Sequence, residues 1–197
     1  MPNKKKPKFS DFVFSLDAVE QWTPGMEVSG QGFRSIRGEF ATYWRQGKIA
    51  REVEAHICRC WILRDGQDLA AFITLLADKL TVEESLLHGE GVLYKTYPAV
   101  KIGFLAADRR ARGAGKFLVE WAMDYIAAKL SPAVGVRFAT VDALYDAEKQ
   151  YDSSGFYLKM GFQLANPDEE IPPPEGYRTL FFDLKPLIDA IAEQGDE

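Results

Sequence analysis

Residues 98–126 constrain this chain more than any other segment. After Tyr97-Pro98, an extended run carries Val100, Ile102, Phe104 and Leu105 and ends at Ala107-Asp108. A glycine loop follows, Arg109-Arg110-Ala111-Arg112-Gly113-Ala114-Gly115-Lys116. It holds four basic residues and no acid, in a chain of formal net charge -5. Leu118, Val119, Ala122, Met123 and Ile126 then recur at helical spacing. Glycines let a backbone approach a ligand closely and leave N–H groups pointing outward. The start of the helix adds its positive end. Strand, basic glycine loop and helix together predict an anion site suited to a pyrophosphate. The loop has no Gly-Lys-Ser or Gly-Lys-Thr, so it is no P-loop, and it lacks the three-glycine dinucleotide spacing.

The rest of the chain alternates between the two secondary-structure periods. Phe9, Phe12, Val13, Leu16 and Val19 predict a first helix, ended by Trp22-Thr23-Pro24-Gly25. Phe33, Ile36, Phe40, Tyr43 and Trp44 predict a second. Residues 55–63 and 69–76 are apolar runs around Asp65-Gly66, a hairpin signal. Residues 78–90 read as a polar connection. Beyond the helix, which Ser131-Pro132 is expected to end, residues 134–141 read as a buried strand and 143–160 as largely helical. A strand is expected to start at Gly161-Phe162, another spans 177–184, and residues 187–192 form a closing helix. The layout is one mixed α/β domain over residues 1–197, without an internal repeat or a visible second core. Residues 1–8 read as a flexible basic tail and 193–197 as a frayed acidic one.

Composition narrows the function class. An apolar fraction of 47% and a charged fraction of 27% suit a soluble globular protein and exclude collagen, disorder and coiled coil. A pI of about 5.2 argues against a dedicated nucleic-acid binder. No apolar run has the ~18 residues of a membrane span, and no apolar stretch follows the N-terminal lysines as a signal peptide requires. The expected compartment is the cytoplasm. Cys58 and Cys60 are too close to staple a fold. His56, Cys58 and Cys60 alternate along an expected strand, but such spacing rarely closes a tetrahedral metal site, so no metal is expected.

Arg110, Gly113 and Gly115 form Arg-x-x-Gly-x-Gly ahead of an amphipathic helix. This resembles motif A of the GNAT N-acetyltransferase superfamily, whose loop commonly reads Arg-Gly-x-Gly-x-Gly, with Ala111 here replacing the first glycine. A register starting at Arg112 would place Phe117 where that family has glycine. It would also turn Glu120 and Trp121 onto the core face. A second segment, Gly155-Phe156-Tyr157-Leu158-Lys159-Met160-Gly161-Phe162, is similar to the family's Phe-Tyr-x-x-x-Gly-Phe. Gln150 stands where the family often has Asn, and Ser153 where it usually has Ala. The segment from Phe33 to Trp44, the hairpin, and Tyr-Pro-x-Val-x-Ile-Gly-x-Leu-Ala at Tyr97 to Ala106 are similar to the toxin-type members.

The resemblance implies a twisted, mostly antiparallel central sheet flanked by helices, with splayed middle strands at 100–107 and 136–141. It implies acetyl-CoA as co-substrate and direct transfer of acetyl to an amine. Cofactor contacts fall on Leu105, Ala106 and Ala107 for pantetheine, and on Arg110, Ala111, Arg112, Gly113, Ala114, Gly115 and Lys116 for pyrophosphate. Tyr157 is the implied acid that protonates the departing thiolate. The acceptor stays open between a small molecule, a peptide and an aminoacyl-tRNA. A small antitoxin and a homodimer are further options, and no membrane is involved. Glu90, His88, Asp142 and Glu83 are candidate bases with no motif behind them. An aminoacyl α-amine already has a lowered pKa and would need none. The rivals are a non-catalytic CoA-binding module and a purely interacting protein with an incidental glycine loop.

Overall fold

Asp65-Gly66 reverses the chain, and the computed structural model shows the hairpin. Residue 9 and residues 14–195 are described. Strands β2 (Arg59–Asp65) and β3 (Asp68–Thr81) pair antiparallel from Arg59↔Leu75 to Asp65↔Asp68, with a register shift at Leu63/Arg64. The chain divides into two compact units. The first comprises residues 1–76 and 103–122, the second residues 77–102 and 123–197.

In the first unit, β1 (Glu20–Trp22) lies antiparallel on β2, and the strand order is β1-β2-β3-β4, where β4 is Thr96–Ala107. Burial is continuous from Leu69 to Leu75, so this stretch of β3 is covered on both faces. Helices α1 (Gly38–Arg45) and α2 (Lys48–Glu54) are separated by Gly47 in a left-handed conformation. Their apolar stripes bring Ala41, Ile49 and Val53 to a core shared with Trp22, Phe33, Cys60, Ile62, Leu69 and Phe72. Trp44 lies 5.0 Å from both the Trp22 and Phe72 rings. Full burial of a side chain such as Phe72 contributes roughly 1.5–3 kcal/mol. Helix α3 (Ala114–Tyr125) seats Leu118, Val119 and Ala122, all fully buried.

In the second unit, the first half of β4 pairs parallel with β5 (Phe138–Asp146), from Ala99↔Phe138 to Ile102↔Val141. β4 runs on to Ala107 past its last β5 partner. β8 (Tyr177–Asp183) lies antiparallel on β5, β7 (Gln163–Leu164) on β8, and β6 (Tyr151–Asp152) folds back on the end of β5. The sheet is thus mostly antiparallel, as expected. Leu80, Tyr97, Ala99, Phe138 and Phe181 form a second core cluster. Arg137 ties this unit together, donating to Asp183 at 2.6 and 2.8 Å and to Glu90 at 3.0 and 2.9 Å. Helices α4 (Ser131–Val134), α5 (Ser154–Leu158) and α6 (Lys185–Gly195) complete it.

Several local expectations are corrected. The first predicted helix contains only a 3-10 turn at Leu16–Ala18 and then β1; residues 10–13 lie outside the described residues. The run expected from residue 55 starts late: residues 55–58 form a turn and an irregular link after α2, and β2 begins only at Arg59. β3 continues to Thr81 rather than yielding to a polar connection. Ser131-Pro132 does not stop the helical path. A π-helical turn spans Ile126–Leu130, Pro132 sits in the first turn of α4, where its missing N–H costs nothing, and left-handed Gly135 ends the run. Residues 143–160 are mainly the end of β5, then β6 and the short α5, because strand pairing of 143–146 with β8 and β6 outweighs local helix propensity. Helix α6 extends through 193–195, read as frayed; residues 1–8, 196 and 197 lie outside the described residues.

Candidate functional site

The glycine loop of the first unit is anchored by Asp108, the residue just after β4. Its side chain has no solvent exposure. One oxygen accepts the backbone N–H of Arg34 at 2.9 Å and the Arg110 Nη2 at 2.7 Å. The other accepts the Arg110 backbone N–H at 2.9 Å and its Nε at 2.7 Å. Burial pushes this carboxyl up, but the donors from Arg110 and Arg34 outweigh it and hold it below the usual carboxylate range. Arg110 also donates to the Gly32 carbonyl at 2.7 Å, and its guanidinium lies 5.3 Å over the Phe9 ring. Among the predicted pyrophosphate ligands, the Arg110 side chain is therefore already tied to Asp108 and Gly32. Arg109 is engaged too, donating to the carbonyls of Ser35 and Ile36 at 3.1 and 2.9 Å.

The remaining loop residues face outward or shape the turn. Ala111 and Ala114 are buried and close it: Ala111 N–H donates to Asp108 at 2.9 Å and Ala114 N–H to Ala111 at 3.2 Å. Gly113 has φ of +88°, a conformation that favours glycine. Phe117 N–H bonds the Gly113 carbonyl at 3.0 Å and starts the α3 ladder. That leaves the N–H groups of Arg112, Gly113, Gly115 and Lys116 without a protein acceptor among the described residues, as the first turn of a helix requires. The Arg112 side chain is exposed. Lys116 is exposed and pairs with Glu120, four residues on, at 3.3 Å. N–H groups without a protein acceptor, a helix start and two exposed cations fit a pyrophosphate.

Leu105 and Ala107 are half-buried, and Ala106 belongs to the first core. Gly103 allows a close approach here. A Cβ at that position would lie 2.7 Å from Leu76 Cδ2 and 2.9 Å from Thr74 Oγ1, which accepts the Phe104 N–H at 2.8 Å.

In the second unit, Tyr157 lies on α5 and is 7% exposed. The rings of Phe156 and Phe162 meet it edge-on at 4.9 and 5.5 Å. Burial, with the neighbouring Tyr151 second, pushes its phenol well above the ordinary tyrosine range. Its hydroxyl therefore stays protonated across the physiological range, the form a proton donor needs. Ser153 bonds the Leu144 carbonyl at 3.2 Å, and Gln150 holds a left-handed φ of +49°.

The candidate bases are dispersed, and two of them, Glu90 and Asp142, are engaged. Glu90 is held by Arg137, whose hydrogen bonds lower its carboxyl. Asp142 accepts Lys101 Nζ and Thr179 Oγ1, each at 2.9 Å. Glu83 lines a cleft of about 320 Å3 with Thr81, Asn166, Glu169 and Thr179. His88 lies in the 3-10 turn His88–Glu90. His56 and Cys58 precede β2 rather than alternating along it. His56 contacts Arg59 at 2.9 Å, and Cys58 lies 3.9 Å from Glu52. Among the described residues no cluster of His, Cys, Asp or Glu could hold a metal. No described helix is long and apolar enough to cross a membrane.

Two features escaped the sequence reading. Asp108 was legible only as a strand end, not as the anchor of the loop. Phe14 stacks on Phe117 with ring centroids 5.6 Å apart, a contact between residues a hundred positions apart that no local signal reports.

Solved structures share this architecture. AtaT complexed with acetyl-methionyl-tRNAfMet matches with a TM-score of 0.70 at 24% identity, over 86% of this chain and 95% of that one. A tyrosine-to-phenylalanine variant of KacT matches at 0.70 and 23% identity, over 87% and 97%. The fold is that of AtaT and KacT. A variant of the AtaT toxin bound to the C-terminus of the antitoxin AtaR and acetyl-CoA matches at 0.64 and 24% identity, over 86% and 94%. No protein-family model matches the sequence, and no curated protein matches it.

Proposed function

We propose that this chain is an acetyl-CoA-dependent N-acetyltransferase of toxin type, acting in the cytoplasm on the α-amine of an aminoacyl-tRNA. The carrying observation is the loop after β4, where the N–H groups of Arg112, Gly113, Gly115 and Lys116 have no protein acceptor among the described residues, beside the start of α3 and two exposed cations. Those N–H groups, with the Arg112 and Lys116 side chains, would hold the pyrophosphate of acetyl-CoA. Bound acetyl-CoA supplies a thioester whose acyl carbon an amine attacks. Tyr157, kept protonated by burial, is assigned as the proton donor. Arg110 is assigned a positioning role, fastened to Asp108, rather than a direct ligand role.

The aminoacyl-tRNA acceptor is supported by two observations. AtaT, with the same fold, was solved with acetyl-methionyl-tRNAfMet. The charge of this chain is also unevenly divided. The first unit carries fifteen Lys and Arg against eleven Asp and Glu, the second nine against eighteen. The acidic total thus conceals a cationic unit of the kind phosphate contacts require. A small antitoxin is the corresponding protein partner, by likeness to AtaT with AtaR.

The test supplies purified protein with radiolabelled acetyl-CoA and either aminoacylated or deacylated tRNA. Label should enter only the aminoacylated pool. Tyr157→Phe should lower turnover by roughly 100-fold or more while leaving acetyl-CoA affinity within about twofold. Label transferred to no aminoacyl-tRNA refutes the acceptor, and unchanged turnover in the variant refutes the role of Tyr157.

A further inference from the structure

We propose that Phe14 and Phe117 form the platform on which the adenine end of acetyl-CoA stacks. This rests on the acetyl-CoA reading and extends it to a part of the ligand no motif addresses. The two rings stack at 5.6 Å with 25° between their planes, and both side chains are half-buried. Their position relative to the loop carries the argument. A Cβ built at Gly113 would lie 3.5 Å from Phe14 Cε2, so this ring borders a residue whose N–H has no protein acceptor among the described residues. Phe117 belongs to the first turns of α3 and bonds the Gly113 carbonyl from its own N–H. Phosphate held at Gly113 therefore sits beside an aromatic pair.

The pair is built into the first unit. Phe9, 4% exposed, lies beneath the Arg110 guanidinium, which is itself fastened to Asp108. Phe9 and Phe14 thus both lie against the loop. N–H groups without a protein acceptor, exposed cations and an aromatic face are the three elements that hold a nucleotide without reading its sequence edge. A thioester ligand with a phosphorylated adenosine presents matching groups: phosphate for the loop and a π-face for the rings. The opposed view is that the rings only fasten the N-terminal stretch.

The experiment titrates the full-length wild type, Phe14→Leu and Phe14→Tyr with acetyl-CoA and, at millimolar concentration, with S-acetylpantetheine, which lacks the nucleotide. Leucine keeps apolar volume without a π-face. Base–aromatic stacking predicts that Phe14→Leu raises the acetyl-CoA Kd about 5- to 150-fold. Phe14→Tyr should restore it, S-acetylpantetheine binding should be unaffected, and the unliganded unfolding midpoint should be unchanged. Equal or tighter acetyl-CoA binding by Phe14→Leu overturns the proposal, as does equal weakening of both ligands. If the wild type binds S-acetylpantetheine too weakly to measure, its affinity already lies in the nucleotide half, and the acetyl-CoA comparison decides. A wild type that binds no acetyl-CoA is a separate outcome: it removes the acetyltransferase reading itself.

Discussion

Asp108→Ala is the perturbation that most directly probes how the loop is held. The carboxylate accepts two backbone N–H groups and two guanidinium donors, all between 2.7 and 2.9 Å. Its own side chain is fully buried, whereas that of Arg110 is 28% exposed. The two halves of the interaction therefore differ in worth. Freed of its partner, Arg110 can turn to water, and a partly exposed ion pair contributes only about 0–1 kcal/mol. The backbone N–H groups of Arg34 and Arg110 cannot follow it. Hydrogen bonds to a charged acceptor contribute about 1.5–3 kcal/mol each, toward the lower end where the donors are only part-buried. The expected loss is about 3–4 kcal/mol. At a urea m-value of roughly 2 kcal/mol/M for a chain of this size, the unfolding midpoint falls by about 1.5–2 M with m unchanged. Asp108→Asn should lose less, because one oxygen still accepts. The pH dependence has a definite sign. A carboxyl held below its unfolded value of about 3.9 stabilises the fold above that pH and loses the contribution as pH falls through its lowered folded value. The gap between wild type and variant should therefore be full at pH 7 and shrink below about pH 4. A variant within about 0.5 kcal/mol of wild type at pH 7 refutes the account of the anchor.

Two further substitutions test the surrounding backbone. Gly113→Ala places a Cβ on a residue at φ +88° and should cost about 1–2 kcal/mol through strain. It should also weaken acetyl-CoA binding at least tenfold in calorimetry, and normal affinity would show that nothing approaches this backbone. Gly103→Ala pushes a Cβ to 2.7 Å from Leu76 and 2.9 Å from Thr74 Oγ1, disturbing the bond from the Phe104 N–H. Overpacking of this kind costs about 1–3 kcal/mol. The melting temperature should drop by roughly 2–12 °C, at about 2–4 °C per kcal/mol for a chain of this length, and an unchanged or raised value would refute the close contact.

What the sequence determined by itself is local. The Asp65-Gly66 hairpin, the extended run before Asp108, the glycine loop, the face of α3 and the strand at Tyr177 are written in neighbouring residues, whose periodicity and turn chemistry act over a few positions. The fold expected from the loop and from the Tyr157 segment followed from those short patterns, and AtaT and KacT share it. Tertiary structure decided what depends on residues distant in the chain. Residues 143–146 extend β5 because β8 and β6 offer them partners, Ala143↔Arg178 and Leu144↔Tyr177 on β8 and Tyr145↔Asp152 and Asp146↔Tyr151 on β6, against a helical local pattern. The short β1 exists because β2 pairs it, from Glu20↔Ile62 to Trp22↔Cys60. Most tellingly, the loop's four basic residues look equivalent in sequence. Folding separates them, burying the carboxylate of Asp108 against Arg110 and leaving Arg112 exposed. A buried charge must find its partner within reach, and which cation that is depends on where the backbone carries each side chain rather than on its type.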